Sequence, residues 1–386
     1  MEAGACADEL KVWVADNVVS FTQEQIEAFK ESNPEFADYD YVVEPVGEDE
    51  AADNMIKDAK TGADIYVFSQ DQIARLVSAD VLEEVVPYNY ETVRNENDAG
   101  AVAAATVGDI LYAYPMTSDN GYFLYYDKSI VSDPSTLEKI LSDCEAAGKY
   151  VCMQINSGWY QTAFFFATGA YLTYDIDNDG NFISCNINYA SVPGLVALKK
   201  IIELNDSSAF QNGGSVKEAD NCAAIVDGTW DSADEQKLFG DNYACAKLPT
   251  FKGSDGNTYQ MSGFGGFKLL GIKPQKDGNK LMACDALAKW LSDGEVQLER
   301  FKAVGWGPSN KEAQNSEVVR ADEALSALAD QLQYSIPQGQ YPGEFWTLTE
   351  TLGDSVINGE LTVNTTDDEL MRTLLKFQKA CISYVE

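Results

Sequence analysis

Two hydrophobic periods alternate in the first hundred residues, and this alternation narrows the fold more than any other feature. Residues 10–14 (LKVWV) form a short β-favouring run. Ser20 and Gln23 then stand at capping-box spacing ahead of a helical pattern carrying Ile26 and Phe29, and Asn33-Pro34 ends it. Residues 39–46 predict a second strand, 48–60 a second helix and 64–68 (DIYVF) a third strand. Strand–helix–strand alternation at this spacing implies an α/β chain with a parallel sheet covered on both faces. Ligands of such sheets bind beyond the carboxyl ends of the strands, here the loops after Val14 and Phe68.

The alternation restarts downstream. Residues 150–155 predict a strand, 160–171 a helix, 192–204 an amphipathic helix, and 222–226 and 243–248 further strands. From residue 281 onward the pattern is almost wholly helical, with helices over 281–292, 321–333 and 367–382. The 386 residues exceed what one hydrophobic core organises, so two domains are expected. There is no internal repeat and no low-complexity linker, which predicts several crossings between the lobes. No apolar run approaches the ~20 residues that span a bilayer.

Charge and composition exclude several functions. Twenty-seven Lys and Arg face 62 Asp and Glu, a net charge of -35 spread along the chain. Such a surface repels phosphate backbones and anionic lipid, which argues against nucleic acid and the membrane surface as partners. The chain has no histidine. Ser-His and Cys-His catalysis and His-ligated zinc are therefore excluded, while glycoside hydrolysis by a carboxylate pair survives. The 8 cysteines form no CxxC pair. Cys222 and Cys245, in short apolar runs that read as neighbouring strands, are the favoured disulfide, with buried thiols as the alternative. Met1 to Gly4 lack the basic and apolar stretches of a signal peptide, so a mature chain with a disordered leader remnant over residues 1–7 is expected. Cys6 follows small residues as a lipid-modified cysteine would, but no apolar segment precedes it, so it reads as an ordinary cysteine.

Asp175-Ile176-Asp177-Asn178-Asp179-Gly180 resembles the start of an EF-hand calcium loop. The bidentate Glu of that loop's last position is replaced by Asn186, so a β-turn at Asp179-Gly180 is the simpler reading, and no metal or cofactor is expected. Gly263, Gly265 and Gly266 lack the Lys-Ser/Thr of a phosphate loop and read as a bend between domains. The aromatic residues are more telling. Trp159-Tyr160, Trp230 in Asp227-Gly228-Thr229-Trp230-Asp231, Trp306 in Gly305-Trp306-Gly307-Pro308 and Phe345-Trp346 all stand in turn-like contexts rather than on periodic apolar faces. A pyranose offers a flat C–H face to a ring and a rim of hydroxyls to carboxylates and amides, so flat rings beside Asp, Asn, Glu or Gln suit a saccharide.

Several short segments occur in an order that resembles the maltose- and maltodextrin-binding family of extracellular solute-binding proteins. They are LKVWVAD, GADIYVFSQDQIARL with VLEEV, YAYPM then LYYDKSIV, GTWD, LPTFKG, and IPQ with FW. The resemblance implies a two-lobed periplasmic-binding-protein type fold with three interlobe crossings, near 115–120, 261–266 and 304–310, and a helical carboxyl-terminal third. It divides the chain into 8–115 plus 265–308 and 116–264 plus 309–386. It also implies a non-enzymatic, monomeric protein, extracellular (periplasmic in a Gram-negative cell) and lipid-anchored, that captures malto-oligosaccharides in an interlobe cleft. The ligand would pass to ABC transporter permease subunits. The alternatives are another neutral oligosaccharide, or a glycoside hydrolase. By the same matching Asp16, Asp71 and Asp119, with Asn120 as rival of Asp119, bind hydroxyls. Phe68, Tyr160 or Trp159, Trp230 and Trp346 stack, and Trp306 and Glu350 join the site. Asn17, Gln72 and Glu350 depart from the family's pattern, each standing where it often carries a cation.

Overall fold

The computed structural model describes residues 8–216 and 221–385, so the expected leader and Cys6 lie outside the described residues. The chain forms two compact units. The first runs to Asp119 and adds Ile176–Asn181 and Gly266–Arg320; the second comprises Asn120–Asp175, Phe182–Gly265 and the chain from Ala321 onward. Two long strands, Ala113–Gly121 and Phe264–Ile272, carry the chain across unit boundaries.

In the first unit Glu9–Val14 pairs in parallel with both Asp40–Pro45 and Ile65–Ser69. Leu10, Val12, Ile65 and Val67 are fully buried, and Val14 nearly so. Ile65–Ser69, buried almost throughout, has the continuous apolar character of a strand covered on both faces. Phe264–Ile272 then adds antiparallel to Ile65–Ser69, and Ala113–Gly121 pairs with it, so the sheet is mixed rather than all-parallel. Helices Val19–Ser32 and Gly278–Leu291 meet where Phe29 packs edge-on to Trp290.

Local expectations failed in two places. A 3-10 turn, Asp16–Val18, precedes the first helix, which puts Ser20 inside the helix with no side-chain cap. The second helix spans only Ala51–Lys57, because the Asp58 carboxylate draws in the Lys60 N–H and the Thr61 hydroxyl and turns the chain.

The second unit has a mixed five-stranded sheet in the order Phe210–Gln211, Tyr150–Cys152, Cys222–Asp227, Phe123–Asp127, Tyr243–Ala246. Phe123–Asp127 lies between the strands of Cys222 and Cys245. Two strand spacings, roughly 9–10 Å, exceed the reach of a disulfide, so these cysteines cannot bond to each other. No disulfide occurs among the described cysteines. Gly265 and Gly266, expected at a bend, lie inside a continuous strand. Gly265 is held by ladder bonds: its carbonyl accepts the Gln338 N–H at 3.0 Å, and Gly263 accepts the Ile336 N–H at 2.8 Å.

The carboxyl-terminal third is helical as expected, and it divides between the units. Asp367–Ser383 opens with a complete capping box between Thr366 and Glu369. The nearly all-buried helix Gly158–Thr168 packs against Gly343–Ile357 at very close range. A Cβ on Gly353 would sit 2.4 Å from the Asn156 Cα. This contact fixes the helices that carry Trp159 and Trp346.

Candidate functional site

The expected site residues fall into two sets, one in each unit. In the first unit they follow the carboxyl ends of strands. Asp16, exposed, begins the turn after Glu9–Val14, and Asp71, buried, lies in the 3-10 turn Gln70–Gln72 after Ile65–Ser69. The Gln72 amide donates to the backbone carbonyls of Glu48 and Asp49 at 3.2 Å each, which ties this turn to the loop after the second strand.

Asp119 and Trp306 come together through Gly307, whose N–H donates to Asp119 Oδ2 at 2.5 Å. Arg300 is buried nearby; burial pulls its guanidinium down to about 10, and the Asp119 charge opposes that shift. Trp306 is only 1 % exposed, and Lys268 Nζ stands 3.8 Å from its ring centroid and 3.2 Å from a Glu48 carboxylate oxygen. The Trp306 indole N–H has no acceptor among the described residues.

Phe68 does not serve as a stacking surface in this arrangement. It is 0 % exposed, tilted against Tyr66 at 5.7 Å, and its ring lies over Gly271 in the core of the first unit.

In the second unit the aromatic residues form a connected group. Tyr122 contacts Trp159 at 4.7 Å and Tyr160 at 4.8 Å between centroids, and Trp159 meets Trp230 at 5.6 Å, tilted 46°. Tyr160 is buried, with its hydroxyl 3.4 Å from Asp227, whereas Trp159 and Trp230 keep exposed surface. Of the two alternatives at this position, Trp159 is therefore the ring with a face to offer. Gln338 Oε1 accepts from the Trp159 indole N–H at 3.3 Å and from the Asn120 amide at 3.5 Å. Trp230 folds back over its own loop, so that a Cβ on Gly228 would lie 2.1 Å from the indole.

Trp346 belongs to a different group, with Phe345 at 4.7 Å and Tyr341 at 5.6 Å. Glu350 is exposed one turn further along the same helix.

Asp227 stands three residues before Trp230 in the same turn-like run. Asp227 is fully buried, and burial together with the Asp231 charge pushes its carboxyl well above the usual range. Asp227 caps its own loop by accepting the Gly228 N–H at 2.8 Å.

The Asp175–Asp179 run is a hairpin tip. Asp177 Oδ1 accepts the N–H groups of Asp179 and Asn181, and Gly180 takes φ of 81°. No group of three or more carboxylate or thiol residues suited to a metal occurs among the described residues.

Residues 24–327 match the family described as bacterial extracellular solute-binding protein. The chain belongs to that family. Among the relatives of this solute-binding protein is the galactooligosaccharide-binding protein of Bacillus subtilis (strain 168), 24% identical over 323 residues, 78% of this chain and 74% of the relative. Two similar solved structures are the unliganded maltodextrin-binding protein of L. casei BL23 and the maltose-maltodextrin binding protein of Alicyclobacillus acidocaldarius. The first has a TM-score of 0.76 at 23% identity, covering 97% of this chain and 99% of that one. The second has a TM-score of 0.78 at 16% identity, covering 96% and 100%. The solute-binding protein thus has the fold of these proteins over nearly its whole length. No helix among the described residues is long and apolar enough to cross a membrane.

Proposed function

We propose that this solute-binding protein captures a neutral oligosaccharide, foremost an α-1,4-linked glucan, and delivers it to an ABC-type import permease without chemically changing it. The observation that carries this reading is the Trp159–Trp230 pair. Two half-exposed indoles stand 5.6 Å apart, and the amide group of Gln338 and Asn120 reaches the edge of Trp159. Indoles present flat, weakly hydrated area to the C–H faces of a pyranose, and fixed amides satisfy its hydroxyls. Asp16, Asp71 and Asp119 serve as hydroxyl acceptors, since charge-assisted bonds orient a sugar more strongly than neutral ones. Trp346 extends the stacking surface and Glu350 lies at its margin; the Trp306 N–H adds a donor.

Two of the similar structures are maltodextrin binders and one relative binds galactooligosaccharide, which makes the sugar's identity the point to test. The protein acts as a monomer, held at the cell surface by a lipid anchor.

Calorimetric titration with maltotriose, galactotriose and xylotriose tests the substrate. Binding of maltotriose with no heat from the other two is expected, and Trp230→Ala should lose more affinity than any single carboxylate change. Galactotriose binding alone would replace glucan by galactooligosaccharide. Shortening of maltohexaose at enzymatic rates would overturn the transport reading.

A further inference from the structure

A second concave surface lies wholly within the first unit: a groove of about 1430 Å³. Helices Val19–Ser32, Gly278–Leu291, Gly294–Val304 and Lys311–Gln314 contribute to its walls, together with the turn carrying Tyr88. None of the site residues discussed above lines it.

Two aromatic rings in this groove are tied down at their polar ends while retaining exposed surface. The Trp290 indole N–H donates to Gln25 Oε1 at 3.2 Å, and Gln25 in turn donates to Glu299 Oε2 at 2.8 Å. The ring backs edge-on to Phe29 at 6.0 Å. Tyr88 is 76% exposed, yet its hydroxyl donates to Asp285 Oδ2 at 3.0 Å, and the Asn89 amide donates to the same oxygen. An exposed ring held by such a relay has already lost the freedom that a ligand would otherwise have to remove. Asn95 and Glu96, both exposed, also line the groove and supply an amide and a carboxylate.

We infer that this groove is a second saccharide site, in which Trp290 and Tyr88 stack on a neutral oligosaccharide and Asn95 and Glu96 take its hydroxyls. The inference rests on the saccharide-binding reading for its ligand class, but it uses none of the same residues. Acid is spread over the whole chain, and Lys289 and Lys311 line the groove as well, so its charges do not single out a cation, whereas the two tethered rings suit the flat face of a sugar.

Fluorine NMR of the protein labelled with 5-fluorotryptophan tests the proposal. The 6 tryptophan signals are assigned by substitution, Trp290 by Trp290→Phe. Maltohexaose, and separately galactotetraose, is added beyond saturation of the first site. The expected result is that Trp159 and Trp230 shift first and Trp290 shifts at higher sugar concentration. Tyr88→Ala, a change at an exposed position, should weaken the second event at least fivefold and leave the first unchanged. A Trp290 signal that never moves overturns the proposal, as does one that moves in step with Trp230 and ignores Tyr88→Ala. A shift caused by hexalysine and by neither sugar would assign the groove to cations instead. If Trp290 responds to sugar and Trp230 does not, the second site stands and the Trp159–Trp230 reading fails.

Discussion

Glu235 is fully buried in the second unit, and neither of its carboxylate oxygens has a hydrogen-bond donor among the described residues. Burial, reinforced by Cys222, Asp231 and Asp234, pushes its carboxyl up from 4.5 to about 9. The folded protein therefore holds this proton more tightly than the unfolded chain. Below pH 4.5 both states are protonated and the group costs nothing; between pH 4.5 and about 9 the unfolded state releases the proton and stability falls. By pH 7 the loss is about 3 kcal/mol. Glu235→Gln should stabilise the protein by that order at pH 8 and by much less at pH 5, measured by urea denaturation at both values. An equal gain at both would mean that Glu235 is ionised when folded. Gly228 offers a second test. Its backbone, at φ -108° and ψ -174°, is open to any residue, and only the Trp230 indole blocks a Cβ. Gly228→Ala should leave folding intact, displace the indole and cost roughly tenfold in saccharide affinity, about 1.4 kcal/mol, as read by calorimetry. Unchanged affinity would remove Trp230 from the site.

At the level of elements, the seating of helix Gly343–Ile357 against the segment that leads into helix Gly158–Thr168 depends on Gly353. A Cβ there would meet the Asn156 Cα at 2.4 Å and the Ile155 carbonyl oxygen at 2.6 Å, and neither backbone atom can turn aside. Gly353→Ala should cost about 1–3 kcal/mol of stability, measured as a lower urea midpoint. It should also weaken sugar binding, because Trp346 rides on the displaced helix; a midpoint unchanged within error would refute the packing argument. Elements with a clean period were legible from the residues, as in LKVWV and DIYVF, where every buried position but Asp64 is apolar. Ala113–Gly121 was not, because Pro115 and the polar run from Thr117 to Asn120 do not look like a strand, although the fold buries nearly all of it. The site divides in the same way. Trp230 stood out because a large ring in a turn has no periodic face to serve; Trp159 stood out for the Asn156-Ser157-Gly158 run before it, although the fold places it in the first turn of helix Gly158–Thr168. Phe68 misled because a core ring and a stacking ring look alike within a β-rich run. Gln338 stood only inside the IPQ segment and Lys268 gave no signal: the amide meets Trp159 across 179 positions of sequence, and a lone lysine in FKLLGI gives no sign of Glu48 or Trp306.

Over the whole molecule the excess of 62 carboxylates over 27 cations acts in the same direction as Glu235, since both favour the folded state as pH falls from 8 towards 5. Salt separates the two effects. Repulsion between surface carboxylates extends over a Debye length, about 10 Å at 0.1 M ionic strength, and is screened as salt rises. A carboxyl sealed in the second unit keeps its proton whatever the salt. Thermal midpoints measured from low to moderate sodium chloride at pH 8 should therefore rise by a few degrees in the wild-type protein and by the same amount in Glu235→Gln. The gap between the two proteins should persist at every salt concentration and close only as pH falls. A neutral saccharide displaces no counterions, so its affinity should stay flat over the salt range that moves the midpoint. If affinity instead fell steeply with salt, the ligand would carry positive charge, and the carboxylates near the indoles would be its principal contacts in place of the rings.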